Sequence, residues 1–275
     1  GMLKGPIEKK QWNAIAEKYL LEAVDCSRAL LKRNSIGDEC WKSFFDLAYL
    51  YQQQKRFNEA EKSCKEGVTV LRQRARNAFQ LMHGLEFHAR QLEALGEFNA
   101  AEKNILEARE IYKIVEGYWR TRQLKLIGRD ETYIIRMRRE LRAARLYSHW
   151  GKEEKTVSHY IKALEQATKG GSDYLACRCM FYLGNYYLKT NESPKAIQTY
   201  NSALMLIEKS RYVEYKKYAF LQLTNFYKKA GNLSMEKKYE TKLKSLSGLN
   251  RTIFNRLLAL VDVHGYCTYY RYLAY

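Results

Sequence analysis

The amino-acid sequence predicts an all-α protein built from stacked pairs of antiparallel helices. The 275 residues contain only two prolines, so few positions interrupt a helix. Stretches rich in alanine, leucine, glutamate, lysine and arginine dominate, and alternating strand patterns are scarce. A pattern of small and aromatic residues also recurs at intervals of about 40 residues, which is typical of repeat proteins.

The N-terminal segment is expected to form a helix that covers one end of the stack. Residues 7–38 carry apolar side chains at helical spacing, and they are followed by the first copy of the repeat. The pattern runs through Trp12, Ile15, Tyr19, Ala23, Cys26 and Leu30. We interpret it as a capping helix or a degenerate hairpin, because terminal repeats need a cap.

The clearest copy of the repeat lies at residues 181–203, which read FYLGNYYLKTNESPKAIQTYNSA. Two helical faces, separated by a short polar break, alternate large and small residues where two helices would touch. These positions are Leu183, Gly184, Tyr187, Ala196, Tyr200 and Ala203. The pattern predicts a helix–turn–helix unit whose two helices cross closely.

Four further copies extend this pattern over residues 40–246. The first begins at Cys40, and its Phe57 is matched 41 residues later by Phe98. Gly96, Gly151 and Gly231 fall at predicted turns, where glycine readily supplies a left-handed cap. Extra residues between the second and third copies predict an insertion around 113–132, which either lengthens two helices or forms a protruding loop.

The C-terminal segment, residues 248–275, contains an apolar stretch at 252–263 and then a tyrosine-rich end. It is expected to form a helix and tail that cap the array. Two alternatives stay open, since the tail could fold back as an internal ligand or serve as an oligomerisation surface.

The spacing of small and aromatic residues resembles the tetratricopeptide repeat. The resemblance covers about residues 40–246 and implies a right-handed α-solenoid of about five repeats with N- and C-terminal capping helices, as one superhelical domain over 1–275. The family's proline near the end of each unit is missing here. The period of about 40 exceeds the usual 34, and such extended units resemble those of kinesin light chain and of bacterial peptide-sensing regulators.

The same resemblance implies a concave groove lined by the first helix of each pair. The candidate peptide-binding residues are Lys42, Tyr49, Arg90, Arg138, Arg145, Arg178, Phe181, Asn185, Asn225 and Lys228. Asn185 and Asn225 occupy the same position in consecutive units. An asparagine offers both a donor and an acceptor, so it could hold the backbone of an extended peptide. The alternative is a solvated polar position.

The chain is strongly basic, with 48 lysines and arginines against 30 acidic residues and a net charge of +18. Such a field attracts acidic peptides, nucleic acid or anionic lipid. The richest basic stretch is 118–145, where Trp119 and Tyr133 lie among nine basic residues. Arginines with aromatics can bind phosphates and stack on bases. The alternative is a solvated helix face with packed arginine stems.

The sequence carries no recognisable catalytic motif, so no enzyme, cofactor or metal site is predicted. Its five histidines form no H-E-x-x-H motif, and no G-x-S-x-G or phosphate-binding glycine loop occurs. The six cysteines form no C-x-x-C pair and are expected to be free thiols in a reducing compartment. A cytoplasmic location is expected, because no signal peptide or apolar membrane-spanning run is seen.

These observations predict a non-enzymatic scaffold for protein–protein interaction. Its partner would be a peptide or protein segment, with an acidic one suited to the basic groove. One alternative is a solenoid that binds single-stranded RNA. Another is a sensory or scaffold part of a larger assembly, including a homodimer formed through the tyrosine-rich tail.

Overall fold

The structure is a computed structural model that describes residues 6–33, 40–74, 78–122, 131–208 and 213–246. These residues form eleven α-helices and no strand, which confirms the predicted all-α class. The helices are α1 (Pro6–Lys32), α2 (Cys40–Gln53), α3 (Phe57–Arg74), α4 (Ala78–Ala94), α5 (Phe98–Arg122), α6 (Glu131–His149), α7 (Glu153–Lys169), α8 (Asp173–Lys189), α9 (Ser193–Glu208), α10 (Val213–Lys229) and α11 (Leu233–Ser245).

Neighbouring helices pack as hairpins, as the repeat pattern predicts. The pairs α2–α3, α4–α5, α8–α9 and α10–α11 share the most extensive contacts in the described parts of the chain. Each pair is joined by a turn of three residues with one residue at positive φ. Gly96 and Gly231 take this conformation in their turns, whereas Lys55 and Asn191 adopt it without glycine.

The Gly96 turn shows how these hairpins end their first helix. The N–H of Glu97 donates to the carbonyl of Leu92 at 2.8 Å, and the N–H of Gly96 donates to Glu93 at 3.1 Å. These two bonds satisfy carbonyls that the helix end would otherwise leave open. Because the left-handed conformation costs an L-residue about 1 kcal/mol, glycine is favoured here.

The chain divides into two compact units, an N-terminal unit at 1–159 and a C-terminal unit at 160–275. In the N-terminal unit, Phe45 of α2 packs against two glycines of neighbouring helices. A Cβ on Gly67 would lie 2.8 Å from the Phe45 ring, and one on Gly84 would lie 2.9 Å from it. Glycine at both positions therefore lets α3 and α4 approach the ring closely.

The core of the C-terminal unit contains the small and aromatic residues that define the repeat. A Cβ on Gly184 would lie 2.8 Å from the Tyr200 ring. Ala196, Tyr200 and Ala203 are fully buried. The conspicuous pattern of residues 181–203 is thus a packing pattern for the crossing of α8 and α9.

The first helix, α1, packs on α2 through a different face from the one that its sequence pattern emphasises. Its buried side includes Val24 and Ser27, and the Ser27 hydroxyl lies 3.0 Å from that of Ser43. The apolar residues Trp12, Ile15, Tyr19, Cys26 and Leu30 are exposed instead. The pattern correctly predicted a helix but not its packing face.

The predicted insertion coincides with a long α5, which continues to Arg122, and with the beginning of α6 at Glu131. Residues 123–130 and the C-terminal segment 248–275 lie outside the described residues. No helix in the described ranges is long and apolar enough to cross a membrane. The arrangement of all repeats as one domain stays a prediction.

Candidate functional site

Five of the predicted groove residues belong to the N-terminal unit, on α2, α4 and α6. Tyr49 is 44% exposed, and Arg138 and Arg145 are also exposed. Arg90 is partly buried. The Lys42 ammonium lies 5.9 Å from the centre of the Trp41 ring. These helices therefore present both aromatic and cationic groups.

Two carboxylates on α4 organise the basic side chains of α6. Glu86 contacts the guanidinium of Arg142, and its carboxylate lies 3.5 Å from the Nε of Arg139. Only 9% of the Glu86 side chain is exposed. A buried carboxylate requires such partners, because an unpaired charge in the interior is very costly.

A second contact lies two helical turns further along α4. Glu93 is seven residues after Glu86, so both side chains lie on the same face of the helix. The Glu93 carboxylate lies 3.4 Å from the Nε of Arg145 and also contacts His149. We call Glu86, Glu93, Arg139, Arg142, Arg145 and His149 the ion-pair ladder.

The electrostatic balance keeps both glutamates ionised. Burial alone would raise the pKa of Glu86, but Arg142, His83 and Arg139 together hold it below its ordinary value. Burial would raise the pKa of Glu93 as well. The hydrogen bond from His149 is the largest of the interactions that lower this pKa below its ordinary value. Both carboxylates of the ladder are therefore ionised at neutral pH.

Arg139 also joins α6 to α5. Its guanidinium lies 4.1 Å from the centre of the Tyr112 ring, and its Nη2 donates to the Ala108 carbonyl at 2.5 Å. Burial lowers the pKa of Arg139, although an arginine stays protonated at neutral pH. This residue therefore acts as a structural anchor for the ladder.

Two further arginines lie beside the ladder. Arg90 lies close enough to interact electrostatically with both glutamates, and Arg138 lies close to His83 on the same surface. Arg139, Arg142 and Arg145 thus contact the two carboxylates, with Arg90 and Arg138 nearby. The groove prediction included Arg90, Arg138 and Arg145 but missed Arg139 and Arg142. The seven-residue spacing of Glu86 and Glu93, matched by that of Arg142 and His149, is the sequence signal for their pairing.

In the C-terminal unit, the predicted residues of α8 are largely used within the protein. The Arg178 guanidinium meets the Tyr182 hydroxyl at 3.1 Å. Phe181 is only 3% exposed, and its ring packs against Tyr200 and Tyr218. Phe181 was predicted to line a binding groove, but it packs in the core, because its ring fills the space between helices.

The two asparagines differ in their surroundings although they are equivalent in sequence. The Oδ1 atom of Asn185 accepts a hydrogen bond from the Tyr200 hydroxyl at 2.5 Å. Asn225 is exposed on α10, one turn before the exposed Lys228. Asn225 is therefore the more accessible of the two, and substitution of Asn185 would also remove its hydrogen bond with Tyr200.

His88, Cys177 and Cys179 are buried within the protein. The two ring nitrogens of His88 lie 3.0 Å from Glu61 and 3.0 Å from Asn104. Burial raises the pKa of Cys177 and of Cys179 to about 12, which keeps both thiols protonated. Among the described residues, no group of three or more ligating side chains could hold a metal ion.

The basic stretch 118–145 is described only in part, because the side chains of 117–131 lie outside the described residues. In the remainder, Arg136 contacts Glu116, and Arg139, Arg142 and Arg145 belong to the ladder. These arginines form ion pairs that join α6 to α5 and α4 within the N-terminal unit.

Comparison of the sequence with models of protein families and with curated proteins gives no match. Solved structures, in contrast, share its fold. BtubC (BKLC) from P. vanneervenii has a TM-score of 0.58 and 17% identity, over 86% of this chain and 93% of that chain. A putative kinesin light chain from Podospora anserina has a TM-score of 0.56 and 16% identity, over 74% of this chain and 93% of that chain.

A third similar structure is a Rap protein in complex with competence and sporulation factor. It has a TM-score of 0.52 and 15% identity, over 87% of this chain and 63% of that chain. At these identities the likeness concerns the fold alone. The predicted resemblance is confirmed at that level, and in fold this chain is a tetratricopeptide-like helical-repeat protein.

Proposed function

We propose that the chain is a non-enzymatic scaffold and that α4 and α6 bind an acidic peptide or protein segment. The observation that carries this proposal is the cluster of arginines on α4 and α6, of which Arg138 and Arg145 are exposed. Two buried carboxylates pair with Arg139, Arg142 and Arg145, and Arg90 and Arg138 lie nearby in the N-terminal unit. The positive field of this arginine cluster would attract a partner that carries carboxylates.

The ladder would fix the arginines before a partner arrives. Arg139 and Arg142 are held by Glu86, while the exposed Arg145 is oriented by Glu93. Side chains that are already ordered lose less conformational entropy on binding. A planar guanidinium can also donate two parallel hydrogen bonds to one carboxylate.

The partner contact can extend beyond these charges within each unit. Tyr49 of α2 offers a half-exposed ring in the N-terminal unit. Asn225 and Lys228 form a separate candidate contact on α10 of the C-terminal unit. We therefore assign charge recognition to Arg138 and Arg145, and a supporting role to these three residues.

The comparisons support the proposal only through the fold. The Rap protein was solved with competence and sporulation factor, so a chain of this architecture can carry a bound partner. The RNA alternative rests on the same stretch of basic residues, in which Arg136, Arg142 and Arg145 contact carboxylates of the protein itself. The cytoplasmic location and a role in a larger assembly stay predictions.

The proposal can be tested by selecting peptides from a random displayed library on the full chain and measuring their binding by fluorescence anisotropy. We expect the selected peptides to be rich in aspartate and glutamate. The double variant Arg138→Gln/Arg145→Gln should weaken binding by about tenfold or more, because two exposed cations are lost.

The matched control is Lys62→Gln/Lys103→Gln, which removes the same charge from exposed positions of α3 and α5. This control should bind the peptides nearly as well as the unaltered chain. Equal weakening by both double variants would show attraction to overall charge and contradict the assignment. Tight, salt-dependent binding of single-stranded RNA that survives Arg138→Gln/Arg145→Gln would favour the RNA alternative.

A further inference from the structure

The exposed face of α1 carries a stripe of large apolar side chains. Trp12 is 55% exposed, Ile15 46% and Tyr19 66%. Single exposed apolar residues are common, but a contiguous set on one helix marks an interaction surface. The opposite face of α1 already packs on α2, so this stripe is available for another partner.

The stripe has the spacing of a coiled-coil seam. Its residues follow each other at alternating intervals of three and four, which keeps them on one face of the helix. In order they are Trp12, Ile15, Tyr19, Glu22, Cys26 and Ala29, and all six are exposed. A seam of this kind fits a second helix that follows the same intervals.

An antiparallel copy of α1 fits this stripe well. When Tyr19 is set opposite Glu22 of the second copy, Trp12 falls opposite Ala29 and Ile15 opposite Cys26. Large side chains then face small ones along the seam, which allows close packing. The Tyr19 hydroxyl can donate a hydrogen bond to the Glu22 carboxylate of the other copy.

The charges beside the stripe fit the same arrangement. In this register Lys18 flanks Asp25 of the second copy, and the two-fold symmetry repeats the pair. Both side chains are exposed, and the Asp25 carboxylate also contacts Arg28 at 2.9 Å. A parallel arrangement would instead place the Glu22 carboxylates of the two copies against each other. Charge complementarity thus favours antiparallel pairing.

We propose that two copies of this chain associate through the exposed stripe of α1, with the two helices antiparallel. Such a contact uses the same patch on both copies, as a two-fold interface requires. The inference is independent of the peptide-binding proposal, which concerns α4 and α6. It also differs from the sequence prediction of a dimer formed by the C-terminal tail.

Cross-linking tests the register directly. Cys26 is an exposed free thiol, and in the proposed pairing it faces Ile15 of the other copy. The Ile15→Cys variant should therefore form disulfide-linked dimers at twice the 32.5 kDa of one chain under mild oxidation. The double variant Ile15→Cys/Cys26→Ser should form none.

The unaltered chain provides a second reading in the same experiment. Its two Cys26 residues would lie eleven positions apart along the pair, roughly 16 Å, which exceeds the reach of a disulfide. Dimers linked through Cys26 in the unaltered chain would indicate parallel pairing and overturn the proposal. So would a failure of Ile15→Cys to cross-link at concentrations where dimers are present.

Light scattering across a range of concentrations tests the association itself. We expect a concentration-dependent dimer that Lys18→Asp weakens by about tenfold, because two attractive pairs become repulsive. Lys18→Asp/Asp25→Lys should restore it, and Lys62→Asp on α3 should leave it unchanged.

A monomer at every concentration would contradict the proposal. Deletion of residues 247–275 should leave the dimer unchanged. If the dimer forms only after this deletion, the tail rather than a second copy covers the stripe, and the proposal fails.

Discussion

At the scale of single residues, the surroundings of His83 on α4 set a pH dependence of stability. Burial, together with the nearby arginines of α6, lowers the pKa of His83 to about 4, although Glu86 opposes this shift. In the unfolded chain, His83 takes up a proton near pH 6.5, whereas in the folded chain its imidazole stays neutral down to about pH 4. Stability should therefore fall as the pH is lowered through this window.

This dependence can be measured from urea unfolding between pH 7.5 and 4.5. The unaltered chain should lose about 1–2 kcal/mol more than His83→Gln, after allowance for the partly exposed imidazole. His88 serves as an internal comparison, because burial lowers its pKa too and it is kept in both proteins. Parallel stability curves for the two proteins would contradict the assigned role of His83.

The carboxylates of the ion-pair ladder affect stability at lower pH than His83 does. Burial opposes the ionisation of Glu86, but Arg142 and its other charged neighbours hold its pKa below the ordinary value of about 4.5. Its contribution is therefore complete above the pKa of the unfolded chain and is lost as the pH falls through the folded value. The loss of stability through His83 therefore begins nearer neutral pH than the loss through Glu86.

At the scale of helices, the hairpin α8–α9 depends on one close approach. The Cα of Gly184 meets the Tyr200 ring so closely that a Cβ would lie 2.8 Å from it. Gly184→Ala should reduce the free energy of unfolding by about 1–3 kcal/mol, because the core is overpacked. Urea denaturation of the full chain measures this change.

The Tyr200→Leu background tests whether that cost arises from the ring. Leucine is smaller, so adding Gly184→Ala should cost at least about 1 kcal/mol less there than in the unaltered chain. Ser202→Ala, at an exposed position of α9, is the control and should be nearly neutral. Additive effects of Gly184→Ala and Tyr200→Leu would show that the ring does not cause the cost.

At the scale of the whole molecule, the two compact units predict local rather than global effects of substitution. Each unit has its own buried core, and repeat proteins are stabilised mainly by contacts between neighbouring units. Tyr200→Leu should speed amide hydrogen exchange in α8–α11 and leave α2–α4 nearly unchanged. Equal acceleration throughout the chain would indicate that the units unfold together.

Much of the fold follows from local sequence patterns. Ala196, Tyr200 and Ala203 are buried as the repeat spacing predicts, and Gly96, Gly151 and Gly231 have positive φ as expected for helix caps. The candidate site is less predictable. Arg138 and Arg145 are exposed as a binding site requires, but Phe181 belongs to the core and Asn185 is bonded to Tyr200.

The helical class, the hairpin repeat and the basic charge follow from composition and from neighbours along the chain, so they could be predicted from the residues alone. The pairing of charges and the exposure of helix faces depend on tertiary packing. Glu86 pairs with Arg142 across 56 residues, and the apolar stripe of α1 is exposed because the opposite face packs on α2. Such contacts depend on how helices are placed beside one another, which helical periodicity alone does not specify.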